Sequence, residues 1–195
     1  MNHVRDGLRI IQDRLLNMLN IDDEYLDLLT AFMKVIEGPD DMAVAGGAIR
    51  DMLFDKEVKD IDVFYTGEIT KIPKEYKAKE CDTKYDGSSF TLTHEIPACN
   101  VVNIPVPIQF IQVESIDETI ANFPSNICRC ALFRDDGLYI DQDLPKAVSK
   151  KQHDYLASKL NSGHYLRLRA KYSDWSCFIS PLYNFSPPAT IKVPF

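Results

Sequence analysis

The stretch Ala43-Val44-Ala45-Gly46-Gly47-Ala48-Ile49-Arg50-Asp51, followed after eight residues by Asp60-Ile61-Asp62-Val63-Phe64-Tyr65, decides how this chain reads. The apolar run from Met42 to Ala45 predicts a strand that stops at a glycine pair. Glycine lets the backbone turn tightly and approach a ligand, and a helix opening there offers unpaired N–H groups to an anion. Arg50 lies within that short helix, in reach of the same anion. Asp60 and Asp62 stand two apart at the start of a second apolar run, so on a strand they share one face. Paired carboxylates of this kind suit hard divalent cations. Each part alone has a bland explanation: a strand-to-helix turn, a local ion pair of Asp51 with Arg50 or a lysine, two solvent-facing acids. Together, in this order, they describe a site for a nucleoside triphosphate and its magnesium.

The run AVAGGAIRDMLFDKEVKDIDVFYTG resembles the signature of the CCA-adding enzyme and poly(A) polymerase branch of the DNA polymerase β-like nucleotidyltransferases. That signature is a strand, GG-x-x-RD, a short helix, and D-x-D on the next strand. The resemblance implies an α+β fold, with a small mixed β-sheet of nucleotidyltransferase type and N-terminal and C-terminal helices packed on it. It implies that Gly46, Gly47, Arg50 and Asp51 bind the nucleotide, and that Asp60 and Asp62 are the catalytic carboxylates and ligate Mg²⁺ or Mn²⁺. The reaction it implies moves a nucleoside monophosphate from a triphosphate to a hydroxyl, on an RNA or tRNA 3′ end, a protein or a small molecule. The match covers 25 residues. Beyond it the chain resembles the short single-domain relatives encoded by bacteriophages, which implies action in a host cytoplasm.

Two departures stand out against that family. Its members generally carry a third acid on a neighbouring strand, and on the expected strand, Val106–Val113, the matching residue is Gln109. An amide is a far weaker ligand than a carboxylate for a hard dication. Glu114 follows on the opposite face, where it is a poor replacement. In the stretch Phe123-Pro124-Ser125-Asn126-Ile127-Cys128-Arg129-Cys130-Ala131, Pro124 stands where the CCA-adding enzymes have the aspartate of R-D-F-T-x-N-A. Their base-reading E-D-x-x-R pattern has no counterpart, so CCA addition itself is not expected. A nucleotidyltransferase fold that binds nucleotide, RNA or a protein without catalysis is the alternative.

Composition sets the frame. A chain of 195 residues, 45% hydrophobic and with net charge −7, is long enough for a sizeable core and unlike a protein that coats nucleic acid by bulk charge. Charge is uneven, however: residues 146–171 hold seven Lys and Arg against one acid, Asp154, the footprint of a local anion site or of a solvated helix face. The five cysteines (Cys81, Cys99, Cys128, Cys130 and Cys177) are odd in number and lack zinc-site spacing, so buried reduced thiols and a cytoplasmic location are expected. No membrane span is expected.

The remainder supplies supporting elements. Val4, Leu8, Ile11, Leu15 and Leu19 predict one amphipathic helix, and Leu26, Leu29, Met33 and Ile36 a second, ended by Gly38-Pro39. Residues 71–87 are charged and read as a loop with one helical turn. Strands are expected over Ser89–His94, Cys99–Ile104 and Val106–Val113, helix over 146–173, and an irregular tail from Ser186. Tyr165, Leu168, Tyr172 and Trp175 form a stripe expected to be core, whereas His164, Arg167 and Lys171 fall on another face. His94, His153 and His164 are expected to be surface or hydrogen-bonded residues, not catalysts. The expected organisation is one domain over 1–195, with N-terminal helices (1–40), a catalytic sheet region (41–143) and C-terminal helices and tail (144–195).

Overall fold

The computed structural model describes residues 23–84, 90–98, 103–141, 143–157, 162–180 and 191–193. Strands β1 (Asp41–Ala45) and β2 (Ile61–Thr66) run antiparallel through the middle of a sheet, joined by helix α2 (Gly47–Leu53), which follows α1 (Asp23–Lys34). Beyond β2 lie β5 (Ile108–Gln112), β4 (Thr91–Ile96) and, at the edge, β3 (Lys79–Lys84). Beyond β1 lie β6 (Cys130–Phe133), β7 (Gly137–Ile140) and β10 (Ile191–Val193). The order is β10-β7-β6-β1-β2-β5-β4-β3, with β2 and β5 the parallel pair in an otherwise antiparallel sheet. Helices α3 (Ile116–Ala121), α4 (Leu144–Lys150) and α5 (Ser162–Lys171) and a small parallel pair, β8 (Gln152–Leu156) with β9 (Ser176–Ser180), complete the described fold. This is the α+β architecture expected, with a mixed sheet.

Strand alternation divides the sheet into two unequal faces. Met42, Val44, Ile61, Val63, Tyr65, Ile108 and Phe110 point into the large core, where Leu29, Met33, Ile49 and Leu53 of α1 and α2 cover them. Ala43, Ala45, Phe64 and Ile111 point the other way, into a smaller core closed by Ile116 and Ile120 of α3. That second face is covered at one end and carries Asp62 at the other.

Several expectations change. The run 71–87 is not simply loop: a 3₁₀ turn at Lys74–Tyr76 leads into β3, and residues 85–89 lie outside the described set. Its sequence, Lys-Glu-Cys-Asp-Thr-Lys, is almost wholly exposed at the sheet edge, so no apolar alternation announces it. Of the strand expected over Cys99–Ile104, residues 99–102 lie outside the described set, Asn103 is in a turn with φ 55°, and Ile104 forms only an isolated bridge. Region 146–173 is not continuous helix, because β8 separates α4 from α5. The tail is not wholly irregular, since β10 pairs with β7. The helix expected over Val4–Leu19 lies outside the described residues. No helix among the described residues is long and apolar enough to cross a membrane, and Cys81, Cys128, Cys130 and Cys177 are free thiols.

His153 departs from the expectation of a surface or satisfied histidine. It is wholly buried on β8; Nδ1 lies 3.5 Å from Ser125 Oγ, and Nε2 makes no hydrogen bond among the described residues. Burial pushes its pKa down to about 4; Arg169 and Arg50 add to the shift and Asp154 opposes it. The imidazole is therefore neutral in the fold at pH values where the unfolded chain is protonated. Its linkage costs nothing above the unfolded value of 6.5, grows as pH falls, and is complete below about 4. That cost reaches roughly 3 kcal/mol. Asp62, whose pKa is raised, contributes with the opposite sign over much of this range. The prediction is therefore a difference: urea denaturation between pH 7 and 4 should show His153→Leu gaining stability relative to wild type as pH falls. A constant difference would contradict it.

Candidate active site

Antiparallel pairing assembles the site. Because β1 and β2 run in opposite directions, the glycine turn at the end of β1 lies at the same end of the sheet as the acids at the start of β2. Gly46 adopts φ 74°, a region that side chains other than glycine's rarely occupy, and a Cβ there would meet the Phe123 ring at 3.3 Å. Gly46 N–H donates to the Cys130 carbonyl, and α2 starts at the next residue. Gly47 is different: a Cβ on it would make ordinary contact, 3.6 Å, with Arg50 Nη2. Gly47→Ala is therefore expected to leave the melting temperature nearly unchanged while weakening triphosphate binding at least tenfold by calorimetry, because the methyl occupies the approach to Arg50. Equal binding by the variant would remove Gly47 from the phosphate path.

A cleft of about 890 Å³ gathers Gly46, Gly47, Arg50, Asp51, Asp60 and Asp62, the six residues singled out in the sequence. Pro124 and Phe123 form part of its wall, and Lys59, His164, Arg167 and Lys171 add basic groups, the last three from α5. Acids and cations thus line one opening together. His164 Nδ1 is hydrogen-bonded with the Tyr155 hydroxyl at 2.8 Å, and burial lowers its pKa.

Arg50 and Asp51 are buried, 7% and 4% exposed, and face each other. Arg50 donates from Nε to Asp51 Oδ1 at 2.8 Å and from Nη1 to Cys128 Sγ at 3.1 Å. Tyr172 donates its hydroxyl to Oδ1 at 3.0 Å, and Lys171 Nζ bonds both Oδ2 and the Glu57 carbonyl. Burial opposes the charge on Arg50, but Cys128, Asp51 and Tyr172 outweigh it and hold its pKa above the ordinary value. Both Asp51 oxygens are therefore engaged by protein groups, the local pairing that the sequence left open. Nothing in the sequence announces the contacts of Cys128 and Tyr172 with Arg50 and Asp51, which lie 78 and 121 residues apart.

Asp60 is exposed and Asp62 half-buried. Burial first, and the Asp60 charge second, push the Asp62 pKa up to about 7. A carboxylate whose ionisation is made costly by burial and by a neighbouring acid is a donor that a dication would relieve. Gln109 pairs in register with Asp62 across the parallel β2–β5 ladder, so the amide shares the face of the acid. Glu114 is exposed beyond the end of β5. Among the described residues no group of three or more His, Cys, Asp or Glu is placed to hold a metal ion. Gln109→Asp would add a third carboxylate to this face, and is expected to tighten Mn²⁺ and Mg²⁺ binding and raise any transfer rate. Calorimetric titration of the metal checks this; unchanged affinity would show that residue 109 does not reach the ion.

Sheet, helices and cleft together define a nucleotidyltransferase-like fold. Solved CCA-adding enzymes share it: one with CTP aligns at TM-score 0.55 and 17% identity, over 85% of this chain and 42% of that one. One with ATP aligns at 0.54 and 18% identity, over 84% and 41%, and the Thermotoga maritima enzyme with tRNA at 0.52 and 19%, over 85% and 42%. The chain spans about two fifths of the length of those enzymes. No curated protein sequence matches it. The Gad2 family, described as Gabija anti-defense 2 family protein, matches residues 10–151, and the chain belongs to that family.

Proposed function

We propose that this protein is a metal-dependent nucleotidyltransferase that moves a nucleoside monophosphate from a nucleoside triphosphate to a hydroxyl. The observation that supports this reading best is the single cleft in which Gly46, Gly47 and Arg50 lie with Asp60 and Asp62. Gly46 and Gly47 leave room for phosphate oxygens, and Arg50, with Lys171 and Arg167 nearby, supplies the positive charge that four negative phosphate charges need. Asp51 holds Arg50 and Lys171 in place, a supporting role. Asp60 and Asp62 would hold Mg²⁺ or Mn²⁺, with Gln109 as a neutral oxygen ligand. Such an ion supplies charge neutralisation and polarises the transferred phosphoryl group.

The name of the family points to counteraction of the Gabija defence, and an acceptor hydroxyl on a protein or RNA component of that system fits. So does a phage gene acting in the host cytoplasm. CCA addition is not proposed: the basic face of α5 has no acid to complete a base-reading edge.

A second reading, a nucleotide-binding protein without catalysis, is favoured by Gln109 beside Asp62 in place of an acid. Calorimetry with each of the four triphosphates, followed by a pyrophosphate assay over hours, separates the two. Binding with pyrophosphate release supports transfer; binding without release supports the second reading; absence of binding contradicts both.

A further inference from the structure

Beyond Gln109, the row that starts at Asp62 continues onto β4. Gln109 pairs with Glu95 across the antiparallel β4–β5 ladder, so Asp62, Gln109 and Glu95 stand side by side on three adjacent strands. A β-bulge decides that Glu95 shares the face of Asp62 and Gln109. Leu92 pairs with Ile111 and packs in the smaller core, on the face of Asp62. Strict alternation from Leu92 would send His94 to that face and Glu95 into the large core. The register instead slips between Leu92 and His94. Thr93 and His94 both turn toward the large-core side: Thr93 Oγ1 is hydrogen-bonded with the Tyr65 hydroxyl at 2.7 Å, and His94 stacks edge-on against Phe110, 6.3 Å between centroids. His94 Nδ1 is also 3.0 Å from Thr93 Oγ1, which fixes the bulge further. Alternation then resumes with Ile96 buried in the large core, which puts Glu95 on the opposite face, half-buried. Bulges that re-aim one side chain recur beside active sites.

We propose that Glu95 is a catalytic residue of the transfer reaction, the group that takes the proton from the attacking hydroxyl; this rests on the nucleotidyltransferase reading above. Adjacent strands are about 4.8 Å apart, so Glu95 lies roughly 10 Å from Asp62 at the backbone. That is too far for Asp60, Asp62 and Glu95 to form a three-acid metal site, in keeping with the absence of such a group among the described residues. It is a suitable separation for two side chains that approach one reacting oxygen from opposite sides. In the step itself, the hydroxyl oxygen forms a bond to the α-phosphorus as the bond from that phosphorus to the bridging oxygen of pyrophosphate breaks. Pyrophosphate leaves with the electron pair, and the hydroxyl proton passes to the Glu95 carboxylate and from there to solvent. Gln109, between the two acids, can accept no proton in this role.

Lys79 of β3 pairs in register with Glu95, and a plain edge-strand ion pair is the competing role. The test uses the full chain, each α-labelled triphosphate, Mn²⁺, total RNA and cell lysate as acceptors, and compares wild type with Glu95→Gln and Glu95→Asp. General-base catalysis contributes about 10²–10⁴-fold. Glu95→Gln is therefore expected to lower the rate of transfer at least a hundredfold with an unchanged triphosphate Kd and melting temperature, and Glu95→Asp to recover part of the rate. A Glu95→Gln rate within threefold of wild type overturns the proposal and leaves the transferase reading standing. A loss of triphosphate affinity in Glu95→Gln also overturns it, by showing a role in nucleotide or metal binding. No transfer by wild type itself overturns both.

Discussion

Asp62→Ala should abolish metal-dependent transfer while leaving the protein at least as stable as wild type. The two halves of this expectation have one cause. Asp62 is half-buried next to Asp60, and its ionisation is costly enough to move the pKa to about 7. Sign follows from the direction of the shift: the folded protein holds this proton more tightly than the unfolded chain. Ionised Asp62 therefore destabilises the metal-free fold, fully above pH 7 and not at all below the ordinary carboxylate value. Alanine removes that cost, so the melting temperature at pH 8 should be equal or higher. It also removes one of the two carboxylates proposed to hold the metal, and metal-assisted stabilisation is worth several kcal/mol, a rate loss on the order of a thousandfold or more. Calorimetry and a transfer assay on one preparation read both effects. A variant that is folded and fully active would dismiss Asp62 as a metal ligand.

Asp51→Ala should act the other way round, chiefly on stability. The Asp51 carboxylate is the shared partner of Arg50, Lys171 and Tyr172, and it joins α2 to the end of α5 across the cleft. Removing it leaves the buried Arg50 guanidinium with no carboxylate partner among the described residues, though still beside Cys128 Sγ and the Tyr172 ring, 5.6 Å from Cζ. Breaking a buried ion pair from one side costs about 3–5 kcal/mol. Urea denaturation measures it, with Asp51→Asn expected to lie between, since the amide still accepts from Tyr172 but carries no charge. A change below 1 kcal/mol in Asp51→Ala would mean that Arg50 and Lys171 find other partners, and that α5 is held by packing alone.

The parts of this molecule that were legible in sequence are those encoded locally. The glycine turn, α2 and the D-x-D strand lie within 25 residues, and their apolar frame gives both the elements and the acid face. The place of Gln109 beside Asp62 was legible through the family resemblance, which implies a third ligand position on the neighbouring strand; the apolar run of that strand gives its face. Other elements carry local signals of their own. Ser115-x-x-Glu118 is a capping pair, and Ser115 Oγ does accept from the Glu118 amide at 3.2 Å at the start of α3. Asp135-Asp136-Gly137 marks the hairpin: the turn over residues 134–136, followed by Gly137 at φ 83°, joins Cys130–Phe133 to Gly137–Ile140, short buried runs that have no period to read. The edge strand β3 and strand β9 had no such signal, since their residues are polar or largely exposed, and the pairing of β9 with the more buried β8 is set by distant chain. The engagement of Asp51 by Lys171 and Tyr172 is of this last kind: a local carboxylate was visible, its partners 120 and 121 residues away were not. Glu95 reached the face of Asp62 through a bulge, which breaks the alternation from which a face is inferred.

Nucleotide transfer to a hydroxyl in this cleft, as proposed, is read from the position of the label on the triphosphate. The protein would be incubated with Mg²⁺ or Mn²⁺, host lysate containing the Gabija components, and each triphosphate labelled in turn at the α- and the γ-phosphate. Nucleotidyl transfer predicts that α-label, and not γ-label, becomes covalently attached to a macromolecule, and that Asp62→Ala attaches neither. Attachment of γ-label, or α-label attached equally well by Asp62→Ala, would contradict it.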